Sequence, residues 1–126
     1  MNRDEQRIRA LCDRVRQTAF ELHVHLRGGH LEKVYENGMV HRLRKGGLFV
    51  EQQKPLLVRD KDGTLLGSFF ADLFVENCLI IELKAARTLA PEHIAQTLGY
   101  LRASGFQDAM VINFGAPRLQ VRKIIL

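Results

Sequence analysis

Cysteine is scarce in this 126-residue chain. The two present, Cys12 and Cys78, show neither metal-ligand spacing nor a framework of pairs. That excludes a disulfide scaffold and makes a reducing, cytoplasmic setting the expectation. No apolar run approaches the ~20 residues that cross a bilayer, so no membrane partner is expected. Met1-Asn2-Arg3-Asp4-Glu5 leads into a charged amphipathic segment, where a signal peptide would carry an apolar one. Repeats, low-complexity tracts and Pro/Gly/Ser linkers are missing, and residues 1–126 are expected to form one domain. Neither Gly28-Gly29 nor Gly46-Gly47 is followed by Gly-Lys-Ser/Thr, so neither is a phosphate loop. No Gly-x-Ser-x-Gly element exists for a serine hydrolase. His23 and His25 are two apart on a helix and diverge, and both cysteines sit in apolar settings. No zinc site is expected.

What is there is ordinary in bulk, at 46% hydrophobic and 26% charged residues. The exception is the charge balance: 19 Lys+Arg against 14 Asp+Glu give +5. A basic surface favours anionic partners, nucleic acid first. Charge alone does not separate binding from chemistry.

Between Asp4 and Leu26, the residues Ile8, Leu11, Cys12, Val15, Ala19, Leu22 and Leu26 recur at three- and four-residue steps, one stripe of a helix. Arg27-Gly28-Gly29 ends it. Leu31, Val34, Tyr35, Met39 and Leu43 mark a second helix, closed by Lys45-Gly46-Gly47. Strands are expected at Leu48–Gln53, Leu56–Arg59, Leu65–Val75 and Leu79–Leu83, with a turn at Asp60–Gly63. A third helix runs from Pro91 to about Ser104 with Thr88 as a candidate cap, and strands follow at Ala109–Phe114 and Leu119–Leu126. The order is α-α-β-β-β-β-α-β-β, an α/β or α+β sandwich around one sheet.

Three charges interrupt apolar strands: Asp72 in Phe69-Phe70-Ala71-Asp72-Leu73-Phe74-Val75, and Glu82 with Lys84 in Leu79-Ile80-Ile81-Glu82-Leu83-Lys84. Residues two apart on a strand share a face, so Glu82 and Lys84 point the same way. A three-residue hairpin loop at Glu76-Asn77-Cys78 pairs Val75 with Leu79 and sets Asp72 opposite Glu82. A two-residue loop throws Asp72 to the other face. Two carboxylates and an amine on a half-buried face are costly unless a counter-charge offsets them. A hard divalent cation such as Mg²⁺, held by carboxylates, a main-chain carbonyl and water, would do so. Lys84 could then position the attacking water or stabilise charge on a scissile phosphate. The plain alternative is a cross-strand ion pair on a solvated face. Glu32 stands in a first helical turn, which is also good dipole chemistry. Gln96 and Tyr100 are four apart on one face of the third helix. Arg42, Arg44 and Lys45 end the second helix, and Arg118, Arg122 and Lys123 lie in or near the last strand, all able to meet phosphates.

Gly29-x-x-Glu32-x-x-Tyr35, Ala71-Asp72, Glu82-Leu83-Lys84, Gln96-x-x-x-Tyr100 and the tail Ile112-Asn113-Phe114-Gly115 together resemble the GxxExxY proteins. That group belongs to the PD-(D/E)XK nuclease superfamily, on its RecB-like side. The resemblance covers about Phe20 to Leu126, and Ala71 stands where a proline often precedes the first acid. It implies a restriction-endonuclease-like αβββαβ core, a mixed central sheet flanked by helices, with an extra N-terminal helix and a last added strand. It implies Asp72, Glu82 and the Leu83 carbonyl as ligands of Mg²⁺, with Mn²⁺ as substitute, and Lys84 as catalytic lysine. Glu32 would orient water or support the metal. Gln96 and Tyr100 would line the site from the third helix and touch substrate or order Lys84. Apart from the resemblance, Arg42, Arg44 and Lys45 are expected to contact the substrate's phosphates. Gly29 and Tyr35 look architectural. The expected function is a metal-dependent nuclease acting on nucleic acid, DNA above all. The alternative is a catalytically silent nucleic-acid-binding or protein-interaction module on the same fold. A homodimer or a partner protein supplying specificity is a further expectation.

Overall fold

The structure is a computed structural model and describes residues 2–126. Helix α1 spans Arg3–Leu26 and α2 spans Glu32–Lys45. Strands β1 (Val50–Arg59), β2 (Leu65–Val75) and β3 (Leu79–Lys84) follow, then α3 (Pro91–Ser104), β4 (Asp108–Asn113) and β5 (Gln120–Ile125). One five-stranded sheet runs β1-β2-β3-β4-β5, antiparallel throughout except for the parallel pair β3–β4, which α3 bridges. From α2 to β4 the order is αβββαβ, with α1 and β5 as additions. Helices α1 and α2 cover one face of the sheet and α3 the other.

Local chemistry sets the boundaries. Asn2 caps α1, accepting from the Glu5 N–H at 2.8 Å while Glu5 reaches back to its side chain, and Asp4 and Glu5 suit the positive helix end. The chain leaves α1 through Arg27 at φ 60, one residue before the glycine pair. The stripe read along α1 is the buried one, and His23 joins it, its Nε2 3.1 Å from the Ala116 oxygen. Helix α2 buries Tyr35, Met39 and Leu43, as expected. Leu31 (78% exposed) and Val34 lie outside, and Glu36 is buried in their stead. Thr88 does not cap α3. The helix starts after Ala90, whose N–H donates to His93 Nδ1, and Thr88 Oγ1 instead accepts from Gln120 Nε2.

The segments expected as two strands around Pro55 form the single strand β1. It is an edge strand, the place in a sheet where proline is tolerated because one side of the strand has no neighbour. Gln53 within it adopts φ 54, a left-handed conformation costing about 1 kcal/mol for a non-glycine residue. Here the sheet changes face. Val50 joins the core under α1 and α2, yet Leu56, six residues on, packs toward α3. On β2, Leu73 and Ala71 are two apart and also belong to opposite cores. The register sets Gln52 against Leu73 and Lys54 against Ala71, so Gln53 stands across from Asp72. Both strands switch faces at that one rung.

Candidate active site

The β2–β3 hairpin has the three-residue loop. Left-handed Glu76 and Asn77 turn the chain, the Cys78 N–H closes on the Val75 oxygen, and Val75 pairs with Leu79. Main-chain pairing proceeds to Leu73–Ile81, so Asp72 and Glu82 face each other on the next rung. Side chains bond across that rung. Asp72 Oδ2 accepts from the Leu83 N–H at 2.8 Å, and Glu82 Oε2 accepts from the Asp72 N–H at 3.2 Å. The pair lies toward the carboxyl ends of the parallel strands β3 and β4, the usual place for ligands in open sheets with parallel strands.

Glu82 is 4% exposed, and its Oε1 is a buried side-chain oxygen without a hydrogen-bond partner among the described residues. Burial, and next the Asp72 charge, raise its pKa to about 9 against Lys84, which lowers it. Without a further positive charge this acid keeps its proton at neutral pH. Glu32 belongs to the same electrostatic cluster. Partial burial and then Asp72 raise its pKa, while Lys84 and the Ala85 amide pull the other way. Tyr100, stacked on Phe69 with centroids 4.0 Å apart, has its phenol raised by burial, by Glu82 and by Asp72, against a hydrogen bond with Gln96. Glu32, Asp72, Glu82, Lys84, Gln96 and Tyr100 are thus linked in one electrostatic cluster, from α2, β2, β3 and α3.

Arg42, Arg44 and Lys45 are not gathered with them. They end α2, about 15–20 Å along the helix from Glu32. The Arg44 guanidinium donates to the Val50 oxygen at 2.8 Å. Lys123, on the opposite edge strand, pairs with Asp108.

Sequence reasoning missed Glu36 and Gln53. Glu36 is 3% exposed and takes hydrogen bonds from Lys33, Gln52 and Gln53. Gln53 Nε2 also reaches Asp72 Oδ1 at 3.3 Å. A carboxylate on a helix face otherwise apolar was the available signal.

Tyr35 and the Asn113-Phe114-Gly115 tail tie α2 to the end of β4 and to the loop after Lys84. The Tyr35 hydroxyl donates to the Arg27 oxygen at 2.6 Å, and its ring stacks on Phe114 with centroids 4.7 Å apart. Asn113 Oδ1 accepts from the Ala86 and Gly115 amides, and its Nδ2 donates to the Ala86 oxygen and Gln120 Oε1. The loop after Lys84 is thereby clamped. A Cβ at Gly115 would lie 2.4 Å from the Ala86 oxygen, so only glycine fits there.

A sequence model of the PD-(D/E)XK nuclease superfamily matches residues 9–124. The chain belongs to that superfamily. Among solved structures this PD-(D/E)XK domain is similar to the crystal structure of SSO0001, at 17% identity and a TM-score of 0.57. The match covers 74% of this chain and 48% of that one, so the chain spans about half the length of its structural relative. The likeness establishes the fold, a mixed sheet flanked by helices of restriction-endonuclease-like type. No curated protein matched the sequence.

Nucleases of this superfamily are generally dependent on divalent metal. The chemistry of this rung fits such an ion: a buried acid oxygen without a donor among the described residues stands beside a second carboxylate, where a cation would take the place of the proton that Glu82 holds. Among the described residues no three His, Cys, Asp or Glu side chains converge to hold a metal ion. Asp72 and Glu82 would therefore share it with main-chain oxygen and water, the ligand set of a hard cation. Among the described residues no helix is long and apolar enough to cross a membrane.

Proposed function

We propose that this domain is a metal-dependent phosphodiesterase that hydrolyses nucleic acid, DNA first, with Mg²⁺ as its cation and Mn²⁺ as a working substitute. The observation that carries this reading is the unpartnered, buried Glu82 Oε1 beside Asp72. The order Asp72, Glu82-Leu83-Lys84 also reads as the superfamily's own acid, acid-x-lysine pattern. With Glu32 three before Tyr35, and Gln96 four before Tyr100, the GxxExxY group on the RecB-like side is the nearest fit.

Asp72, Glu82 and the Leu83 carbonyl would hold the cation, with Glu32 supporting it through water. The ion supplies Lewis-acid charge for the phosphate and a more acidic water. Lys84 places a positive charge where negative charge builds on the phosphate as water adds and the ester oxygen leaves. Glu32 orients the water, and Gln96 lines the opposite wall from α3. Tyr100 presents its hydroxyl and ring to the substrate. Arg42, Arg44 and Lys45 contact phosphates farther along the strand, a role suited to charges remote from the cut. A second copy or a partner protein supplies specificity. A reducing, cytoplasmic setting suits the free Cys12 and Cys78.

The test is cleavage of linear and circular DNA with Mg²⁺ or Mn²⁺, comparing wild type with Asp72→Ala and Lys84→Ala. Metal-dependent cleavage by wild type, lost in both variants while they remain folded, is the expected result. DNA binding without any metal-dependent cleavage by wild type overturns the enzyme reading and leaves a binding module.

A further inference from the structure

Gln53 is placed by no catalytic pattern in the sequence, yet its amide bridges Glu36 of α2 and Asp72 of β2. Its Nε2 donates to Glu36 Oε1 at 2.9 Å and to Asp72 Oδ1 at 3.3 Å. Both acceptors belong to carboxylates, so only the NH₂ end of the amide fits, and the assignment of nitrogen and oxygen is forced. Glu36 is the fixed end of this chain. It is buried, and its other oxygen accepts from Lys33 Nζ at 2.8 Å and from Gln52 Nε2. Asp72 is the end that stands beside Glu82, with its second oxygen on the Leu83 amide. The left-handed backbone of Gln53 coincides with the rung where β1 and β2 both change face.

We propose that Gln53, anchored by Glu36, is a positioning residue for Asp72 and thereby sets the affinity of the cleft for a divalent cation. Gln53 touches neither substrate nor metal in this role. It holds one Asp72 oxygen while the Leu83 amide holds the other, so the carboxylate plane is set before a cation arrives. Donors behind metal-ligating carboxylates typically govern affinity or activity by about 10–100-fold. The proposal rests on the metal-centre reading above, with one arm independent of metal.

The experiment uses Gln53→Asn and Gln53→Leu. Asparagine keeps the amide and tolerates positive φ well, but is one methylene too short to bridge both carboxylates. Backbone strain and side-chain positioning are thus separated. Mn²⁺ binding is titrated by electron paramagnetic resonance, thermal melts check folding, and the Asp72 side-chain carboxyl ¹³C resonance is followed in metal-free protein. Expected are a Mn²⁺ Kd weakened about 10-fold or more in both variants, a lowered but still cooperative melt from the bond lost by buried Glu36, and a displaced Asp72 resonance without metal. Cleavage by Gln53→Asn recovers at saturating Mn²⁺, which a global packing defect would not allow. Wild-type Mn²⁺ affinity together with an unmoved Asp72 resonance in folded variants overturns the proposal and leaves the nuclease reading standing. If wild type itself binds no Mn²⁺, the metal-centre reading falls along with the affinity claim, and the carboxyl resonance alone decides whether Gln53 positions Asp72.

Discussion

Two buried polar clusters stand side by side at the carboxyl ends of β3 and β4, where Lys84 and Asn113 are register partners. In the Asn113 clamp every polar atom is used: two amides meet its oxygen, and its nitrogen serves two acceptors. Across the Asp72–Glu82 rung, one carboxyl oxygen has no donor among the described residues. Asn113 and Glu82 are both shut away from water, at 0% and 4% exposure. Burial of polar groups therefore does not separate scaffold from site. Satisfaction does. A closed network specifies structure, whereas an orphaned acid is a standing cost that a ligand can relieve.

The comparison breaks most visibly on the scaffold side. Gly115→Ala pushes a methyl into the Ala86 and Ala85 backbone at 2.4–2.5 Å, and a cost of about 3 kcal/mol or more is expected in denaturant unfolding. Asn113→Ala removes four hydrogen bonds at once and strands the Ala86 amide and carbonyl, with an expected loss of about 2–4 kcal/mol. Near-wild-type stability of Asn113→Ala would show that water replaces the clamp and that satisfaction is not what holds this loop.

The site side responds with the opposite sign. Glu82 has a folded pKa raised to about 9 from an ordinary 4.5, so between these values the native state holds a proton that the unfolded chain has lost. Its stabilising contribution is full below about pH 4.5 and declines as pH rises, by at most about 3 kcal/mol at pH 7. Glu82→Gln removes that decline. Metal-free Glu82→Gln is expected to melt higher than metal-free wild type at pH 8, with the gap closing toward pH 4.5. A lower melting temperature at pH 8 would mean that Glu82 is held as a well-paired anion.

Much of this contrast was legible in the sequence, but unevenly. The sequence reduced the placement of Asp72 to one choice, a three- or a two-residue loop, because hairpin register is local arithmetic, and the pairing of Val75 with Leu79 selects the first. The helix stripe of α1 was equally local. The gap read between Gln53 and Leu56 was misleading, since Pro55 is tolerated within an edge strand, and edge position is a property of the whole sheet. Glu36 was passed over because apolar spacing favoured Val34. Its burial makes sense only with Gln52 and Gln53, sixteen and seventeen residues away. The face switch at Gln53 and Asp72 broke strict alternation, which a period-two reading of either strand cannot register.

A smaller change tests whether the two clusters are independent. Tyr35→Phe deletes the hydroxyl that donates to the Arg27 oxygen and accepts from the His30 N–H, and keeps the ring stacked on Phe114. Both lost partners lie near the surface, where water can serve them, so the expected cost is about 1 kcal/mol, or a melting shift of about 3–5 °C. Tyr35 lies one turn after Glu32 on α2, and stacking alone should keep that helix end in place. Mn²⁺ affinity is therefore expected to stay within about twofold of wild type, a difference of about 0.4 kcal/mol. A drop in affinity beyond that, at the same modest loss of stability, would show that scaffold and site share one network, with the clamp setting the Glu32 carboxyl as well as the loop.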